Sequence, residues 1–540
     1  MTMYTNSRTL AWLAAIALGL TVLVGGITAA TAAEPRPLGG GLNGQNNYIL
    51  DRAFVDTMKT AGVFRALTAD GDIDFTNSAP VDEHGWPTTD FAVYLAQSPP
   101  PLGTYRLSFV SGAQPEVRVM IHPGSVQNFS WDPSTGRGTA DVVLTAPDAE
   151  HFALAFSGTG GGARDIRVIR PGYDPANPPT FTNEYLNLLR SLNPSVVRFM
   201  DWTQTNDNVV STWSERTQPA DARQTDVTLT RTVPARDGGT QEVSSDKGIA
   251  WEYAIELANT VGADAWINVP TLADDDYVTN LARLFRDRLR PDLKVWVEFS
   301  NELWNTSFEQ WVWNTRFAQD DPSLNDDGGA DSYLMGIRRA AKRTVAIADI
   351  FNREFGTAPG PDSRVRPVLA NQYDNPFLVN DQLDFVGRNF GAPDTHLYAI
   401  ANAPYMEFRD ADQNPNLSAD DILAALSAWV DGYESNGKLE QWNSAASSRG
   451  LKLAAYEGGP DTFGPNNIEA KKQASLAPGM RDICERYLRI WYAKGGDQFN
   501  WFTIGAGSYD TQYGTWSVTN DVNNLDTPKM QALRTIRQGG

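Results

Sequence analysis

Cysteine is almost absent from this 540-residue chain, where Cys484 stands alone and no intramolecular disulfide is possible. A chain of this length buries enough core to do without one. Cys484 lies in "MRDICERYLRIWYA", with Ile483, Tyr487, Leu488 and Trp491 on one helical face, and reads as a packing residue. Basic residues are also scarce, 45 Lys and Arg against 65 Asp and Glu, for a net charge of −20. That balance excludes a nucleic-acid footprint, which needs clustered cations, and leaves neutral polymers or small molecules as partners. Only four histidines occur (84, 122, 151 and 396), without H-x-x-x-H spacing, so neither a metal nor another cofactor is expected. The stretch "DDPSLNDDGGADS" (320–332) lacks the first Asp of a calcium-loop register and reads as a solvated acidic loop. "GTGGG" (158–162) has no helix after it and reads as a hairpin loop, not a phosphate cradle. No fixed-period repeat is visible, and beyond the amino-terminal region no run is apolar enough to cross a membrane.

That amino-terminal region has its own pattern. Arg8 precedes "LAWLAAIALGLTVLVGGI", and small residues follow, with an A-x-A-like site at Ala30-Thr31-Ala32. The order predicts a cleaved secretory signal peptide over 1–33, and hence a secreted or periplasmic protein with no membrane attachment after cleavage. A retained anchor is the alternative, because the run is long enough nearly to span a bilayer.

The remainder changes texture. Between about residues 90 and 170, short alternating runs are separated by Gly, Pro and Ser: Tyr105, Leu107 and Phe109 share one face of "TYRLSFV", and Phe152, Leu154 and Phe156 share one face of "HFALAFS". Such runs predict an antiparallel sandwich. "PGYDPANPP" (171–179) reads as a stiff linker. Thereafter strands alternate with helices: "SVVRFM", "DAWINVP", "KVWVEFS", "VRPVLANQ", "PDTHLYAI", "LKLAAYEGG" and "DQFNWFTIG" are seven apolar runs. Alternation of this kind implies parallel strands with covering helices, and a closed (β/α)₈ barrel needs one strand more. A short strand within 39–62 would supply it and leave the sandwich as an insertion, since a barrel missing one strand exposes two edges. The expected fold is therefore α/β, a (β/α)₈ TIM barrel with an inserted or preceding antiparallel β-sandwich. The expected segments are 1–33 signal peptide, 34–64 first part of the barrel, 65–172 sandwich and 173–540 barrel.

In such a barrel, chemistry sits where strands end and loops begin. "KVWVEFSNE" brings Asn301 and Glu302 to one strand end, and "LKLAAYEGG" brings Glu457 to another. Two carboxylates meeting across a cleft are the machinery of glycoside hydrolysis. Taken singly, the Asn301–Glu302 pair could instead cap the following helix, and Glu457 could belong to a plain turn. Other strand ends carry Arg198 and Asp201 in "VVRFMDW", His396 and Tyr398 in "THLYAI", and Trp501 in "FNWFTIG". Aromatics crowd the expected loops, Trp202, Trp213, Trp304, Trp311, Trp313, Tyr509, Tyr513 and Trp516; two or three of them are expected to face a sugar, and the rest to pack.

In this order of elements, over roughly 190–510, the sequence resembles the retaining glycoside hydrolases of the clan A type. The resemblance implies that Glu302 is the acid/base, that Glu457 is the nucleophile, and that Asn301 bonds the sugar 2-hydroxyl. Arg198, His396, Tyr398 and Trp501 match further positions of the pattern, and Trp202 and Trp304 join them as substrate-binding candidates. Leu303 departs from it, since many members carry proline there. The implied partner is a glycan, by default a β-glucan. A non-catalytic carbohydrate-binding protein and an exo-acting arabinofuranosidase-type enzyme are the alternatives.

Overall fold

A computed structural model describes residues 35–95, 99–147, 151–408 and 411–540. The expected signal peptide lies outside them. Among the described residues no helix is long and apolar enough to cross a membrane.

Eight parallel strands close into a barrel in chain order. They are β1 (Leu38–Gly41), β2 (Val196–Arg198), β3 (Asp264–Val269), β4 (Val295–Phe299), β5 (Val365–Ala370), β6 (Ala399–Asn402), β7 (Lys452–Ala455) and β8 (Phe499–Phe502). The first strand, "LGGG", has almost no side chains. A Cβ at Gly39 would stand 2.1 Å from the Val196 carbonyl oxygen, and one at Gly40 would stand 2.6 Å from that of Trp501. Glycine is what lets β1 slot between β2 and β8. The barrel interior is filled by pairing large with small: Trp266 and Trp296 stack at 5.1 Å, with Ala399, Ala401 and Ala454 in the same buried cluster.

Between β1 and β2 the chain builds two antiparallel sheets. One orders Ala163–Ile169, Gly103–Ser111, Arg137–Leu144 and Gly124–Asp132; the other orders Ile73–Ser78, Arg65–Leu67, Phe91–Tyr94, Ala153–Ser157 and Glu116–Met120. They share one buried cluster, in which Phe109 of the first meets Phe156 of the second edge to face at 5.4 Å. The "GTGGG" loop is not a hairpin. Its flanking strands, Ala153–Ser157 and Ala163–Ile169, lie in different sheets, so the loop crosses from one to the other. At Gly162 a Cβ would meet the Pro87 carbonyl oxygen at 1.9 Å. The acidic loop at 320–332 is not simply solvated either. Asp327 and Asp326 pair with buried Arg338 at 2.9 and 3.2 Å, and Arg388 joins Asp326 at 2.8 Å.

The loops after β1 and β8 are tied by a buried polar knot. Asp51 accepts hydrogen bonds from the Ala506 amide, from Asn43 at 3.1 Å and from Gln45 at 3.3 Å, while Thr503 donates to Asn43. Burial pushes the Asp51 carboxyl up to about 7, against the hydrogen bonds that lower it. The unfolded chain ionises Asp51 near its ordinary value, whereas the folded chain keeps the proton until about pH 7. This carboxyl's contribution to stability is therefore full at the acid end and is lost as pH rises from about 4 to 7. In urea denaturation measured across that window, Asp51→Asn should lose less stability with rising pH than the wild type does.

Candidate active site

The open end of the barrel is organised around Arg198, the last residue of β2. Its Nη1 donates to Glu457 Oε2 at 2.8 Å, and its Nη2 donates to Glu298 Oε2 and to Asn301 Oδ1, both at 2.9 Å. Its Nε adds a second bond to Glu298 at 3.2 Å, and Trp266 Nε1 donates to the same carboxylate oxygen at 2.7 Å. The Tyr456 ring lies against the guanidinium at 5.1 Å. Burial works against the charge on Arg198, and Glu298 and Glu457 more than offset it, raising the group further. Glu298 was not among the expected site residues. A charged residue inside "VWVEF", a run otherwise apolar and buried, was the signal for it, since a buried charge needs a partner.

Beyond β4 the backbone turns hard. Ser300 and Glu302 take left-handed φ values of 60° and 46°, a conformation non-glycine residues seldom adopt. The turn is held from β3: Asn268 donates to the Ser300 carbonyl at 2.7 Å, and the Ser300 and Thr271 hydroxyls bond at 2.6 Å. Glu302 does not cap the next helix, which begins at Glu309 with Phe308 as its cap. Its carboxyl instead accepts from Asn305 Nδ2 at 2.9 Å and from the Tyr456 hydroxyl at 3.1 Å. After β7, Gly458 and Gly459 carry the chain away from Glu457 through crowded space. A Cβ at Gly458 would stand 2.7 Å from the Phe499 ring, and Gly459 sits over Trp501 with φ 132°.

Glu302 and Glu457 line one cleft of about 770 Å³ together with Asp201, Asn301, Trp304, Tyr405, Trp429, Phe502 and Trp516. The cleft is acidic: Asp201, Glu302, Asp374, Glu407, Glu457 and Asp461 line it against Lys438, which pairs with Asp374. Burial raises the Glu302 carboxyl, opposed first by hydrogen bonds from the neutral donors Asn305 and Tyr456 and then by the charge of Arg198, with which it makes no hydrogen bond. Burial raises Glu457 as well, opposed chiefly by Arg198, while Glu302 and Asp201 add to the rise.

Not every expected residue reaches the cleft. His396 and Tyr398 precede β6 and so lie at the amino-terminal end of the barrel strands. His396 bonds Asp349 at 3.3 Å and the Phe390 carbonyl at 3.1 Å, and Tyr398 packs on Trp296 at 5.1 Å and on Arg366 at 4.5 Å. The strand begins at Ala399, so Ala403 and Tyr405 are the residues of this segment that face the cleft. Trp202 is core, packed among Phe54, Tyr185 and Phe199. Trp501 is fully buried, and its Nε1 donates to the Trp516 carbonyl at 3.3 Å, so Trp516 is the residue at the surface there. Of the eight loop aromatics, Trp304 and Trp516 line the cleft.

No family model matches the chain, and no curated protein matches it. Among solved structures it is similar to the GH51 arabinofuranosidase from Xanthomonas axonopodis pv. citri, at 11% identity over 61% of this chain and 62% of that one, with a TM-score of 0.37. It is similar also to a 4-O-α-L-rhamnosyl-β-D-glucuronidase from Fusarium oxysporum 12S, at 12% identity over 66% and 64% of the two chains, with a TM-score of 0.38. A GH10 endoxylanase from a sugarcane soil metagenome matches at 11% identity over 66% of this chain and 93% of its own, with a TM-score of 0.34. The chain thus spans less than two thirds of the first two. These are likenesses of fold alone.

Arg198 is the residue whose loss the site should tolerate least. Arg198→Met would leave Glu298 and Glu457 buried without a cation and should cost about 3–5 kcal/mol in urea denaturation. A cost below 1 kcal/mol would show that the two glutamates are solvated or protonated without it.

Proposed function

We propose that this chain is an exported glycoside hydrolase that cleaves a glycan by double displacement, with Glu457 as nucleophile and Glu302 as acid/base. The observation that carries the reading is an asymmetry. Both carboxyls face one cleft, but Arg198 pairs with Glu457 alone, whereas Glu302 has only the uncharged partners Asn305 and Tyr456. Burial raises both groups, Glu457 up to about 8, so the pair holds a proton near neutrality, and the Arg198 guanidinium on Glu457 favours placing that proton on Glu302.

In the first step the Glu457 carboxylate attacks the anomeric carbon as the bond to the leaving oxygen breaks, and the Glu302 proton passes to that oxygen. In the second, Glu302 takes a proton from water, whose oxygen displaces Glu457 from the sugar. Asn301 is oriented by Arg198 at 2.9 Å and by Asn206 at 3.0 Å, and retains one N–H for the 2-hydroxyl of the ring. Trp304, Trp429 and Trp516 supply flat apolar faces for sugar rings. The acidic lining favours a neutral glycan over a uronate polymer, which makes a β-glucan the first substrate to try. The two antiparallel sheets are read as a sandwich domain that buttresses the barrel, because no residue lining the cleft comes from them.

A panel of neutral β-glycans with reducing-end detection tests the reading on the wild type, Glu302→Gln and Glu457→Gln. The wild type should release reducing ends from at least one glycan, and each variant should be about 10³-fold slower. Newly formed ends, followed by NMR, should first appear with the anomeric configuration of the substrate. Wild-type turnover by Glu457→Gln would sink the assignment. Binding to insoluble glycan with no released ends in any protein would identify a carbohydrate-binding protein instead. Because Glu302 must carry its proton, activity should fall as pH rises through its raised value, above the ordinary carboxylate range, and Glu302→Gln should abolish that limb of the profile.

A further inference from the structure

Asp201 is a carboxylate at the cleft that the described residues leave without a hydrogen-bond donor. It follows β2 by three residues and lines the cleft beside Glu457 and Asn301. Among the described residues nothing donates to its carboxyl, and the hydrogen bonds made by the donors around it go to other acceptors. The N–H groups of Arg198 go to Glu298, Glu457 and Asn301. Gln204 turns its backbone N–H and its Nε2 to the Asp201 main-chain carbonyl, each at 3.2 Å, and not to its side chain. Asn301 Nδ2 goes to Asn206 Oδ1 at 3.0 Å, and Asn206 Nδ2 faces Met200 Sδ at 3.9 Å. Gly44 packs beside it, where a Cβ would lie in ordinary contact with Asp201 Cβ at 3.7 Å. A carboxylate next to a guanidinium would ordinarily pair with it; here the hydrogen bonds of Arg198 go to Glu298, Glu457 and Asn301 instead.

We infer that Asp201 accepts a hydrogen bond from a hydroxyl of the sugar ring bound against Glu457, and so selects for the ring position that carries that hydroxyl. The inference rests on the glycosidase reading above. An acceptor oriented by the fold but unmatched within it gains more from a ligand donor than a satisfied one does, since no internal bond must first be broken. It also rejects a ring lacking the hydroxyl, which would leave the carboxylate desolvated and unpaired. Burial pushes Asp201 up to about 6, with Arg198 opposing, so a bound donor would hold the group in its ionised form. The competing role is purely electrostatic. Asp201 helps to raise Glu457, and that influence would act on every substrate alike.

A double-mutant cycle between enzyme and substrate separates the two roles. The probes are 4-nitrophenyl mono- and disaccharide β-glycosides and α-L-arabinofuranoside; the one turned over fastest is compared with its monodeoxy analogues on the wild type, Asp201→Asn and Asp201→Ala. On the parent glycoside, kcat/KM should fall about 10- to 100-fold in Asp201→Ala and less in Asp201→Asn, which keeps an acceptor oxygen. One deoxy analogue should suffer a similar loss on the wild type and little further loss on Asp201→Ala. If the losses multiply for every analogue, Asp201 touches no hydroxyl and the inference is overturned. Should Asp201→Ala not fold, the same cycle is read on Asp201→Asn. A wild type that releases nitrophenol from no glycoside in the set would bring down the glycosidase reading, and this inference with it.

Discussion

A guanidinium buried as deeply as that of Arg198 needs anions on more than one side, and the barrel supplies them from different strands. Glu298 is inside β4, Glu457 is beyond β7, and Asn301 is at the turn after β4. Each of these groups is costly to bury alone and tolerable together. The arrangement also fixes relative positions, because the planar fork of arginine accepts partners only along set directions. Strand ends that are not neighbours in the barrel are thereby referred to one side chain. The left-handed turn at Ser300–Glu302 depends on the same frame, since Asn301 between them is held by Arg198.

From that frame follows a division between two carboxyls that composition alone would make equivalent. Burial raises both, and Glu457 also feels the charge of Glu302. Only one receives the cation. Tyr456 contributes to both sides of the division: its ring lies against Arg198 and its hydroxyl donates to Glu302. A single aromatic residue next to Glu457 in sequence thus links the charged and the neutral halves of the cleft.

Much of this was legible in the sequence where side chains carried the pattern. "VWVEF" and "KLAA" read as strands because they are short apolar runs bounded by polar ones, and the glutamates following them were found for that reason. Where a strand begins is harder to read from alternation: "THLYAI" starts at Thr395, four residues before the strand does at Ala399, so His396 and Tyr398 lie at the other end of the barrel from the cleft. Trp202 and Trp501 have the composition of sugar-stacking residues, but direction decides their role. The first points into the core beside Asp201, which points into the cleft, and the second lies under Gly459. Hydrophobic periodicity has nothing to register in "LGGG", so the eighth strand could be required by barrel closure but not seen.

That strand of glycines has a temporal consequence. Its neighbours are Val197 on one side and residues from Phe499 onward on the other, so nearly the whole chain separates it from one partner. During synthesis it emerges early, with almost no side-chain surface to anchor it, and the two antiparallel sheets are made next. Contacts between the ends of a chain form slowly, and local ones form first. The sheets can therefore complete their core while the barrel is still an open sheet, its last seam waiting for β8. A nascent chain cut anywhere before Phe499 would hold its first barrel strand unpaired on that side, however well the rest had folded.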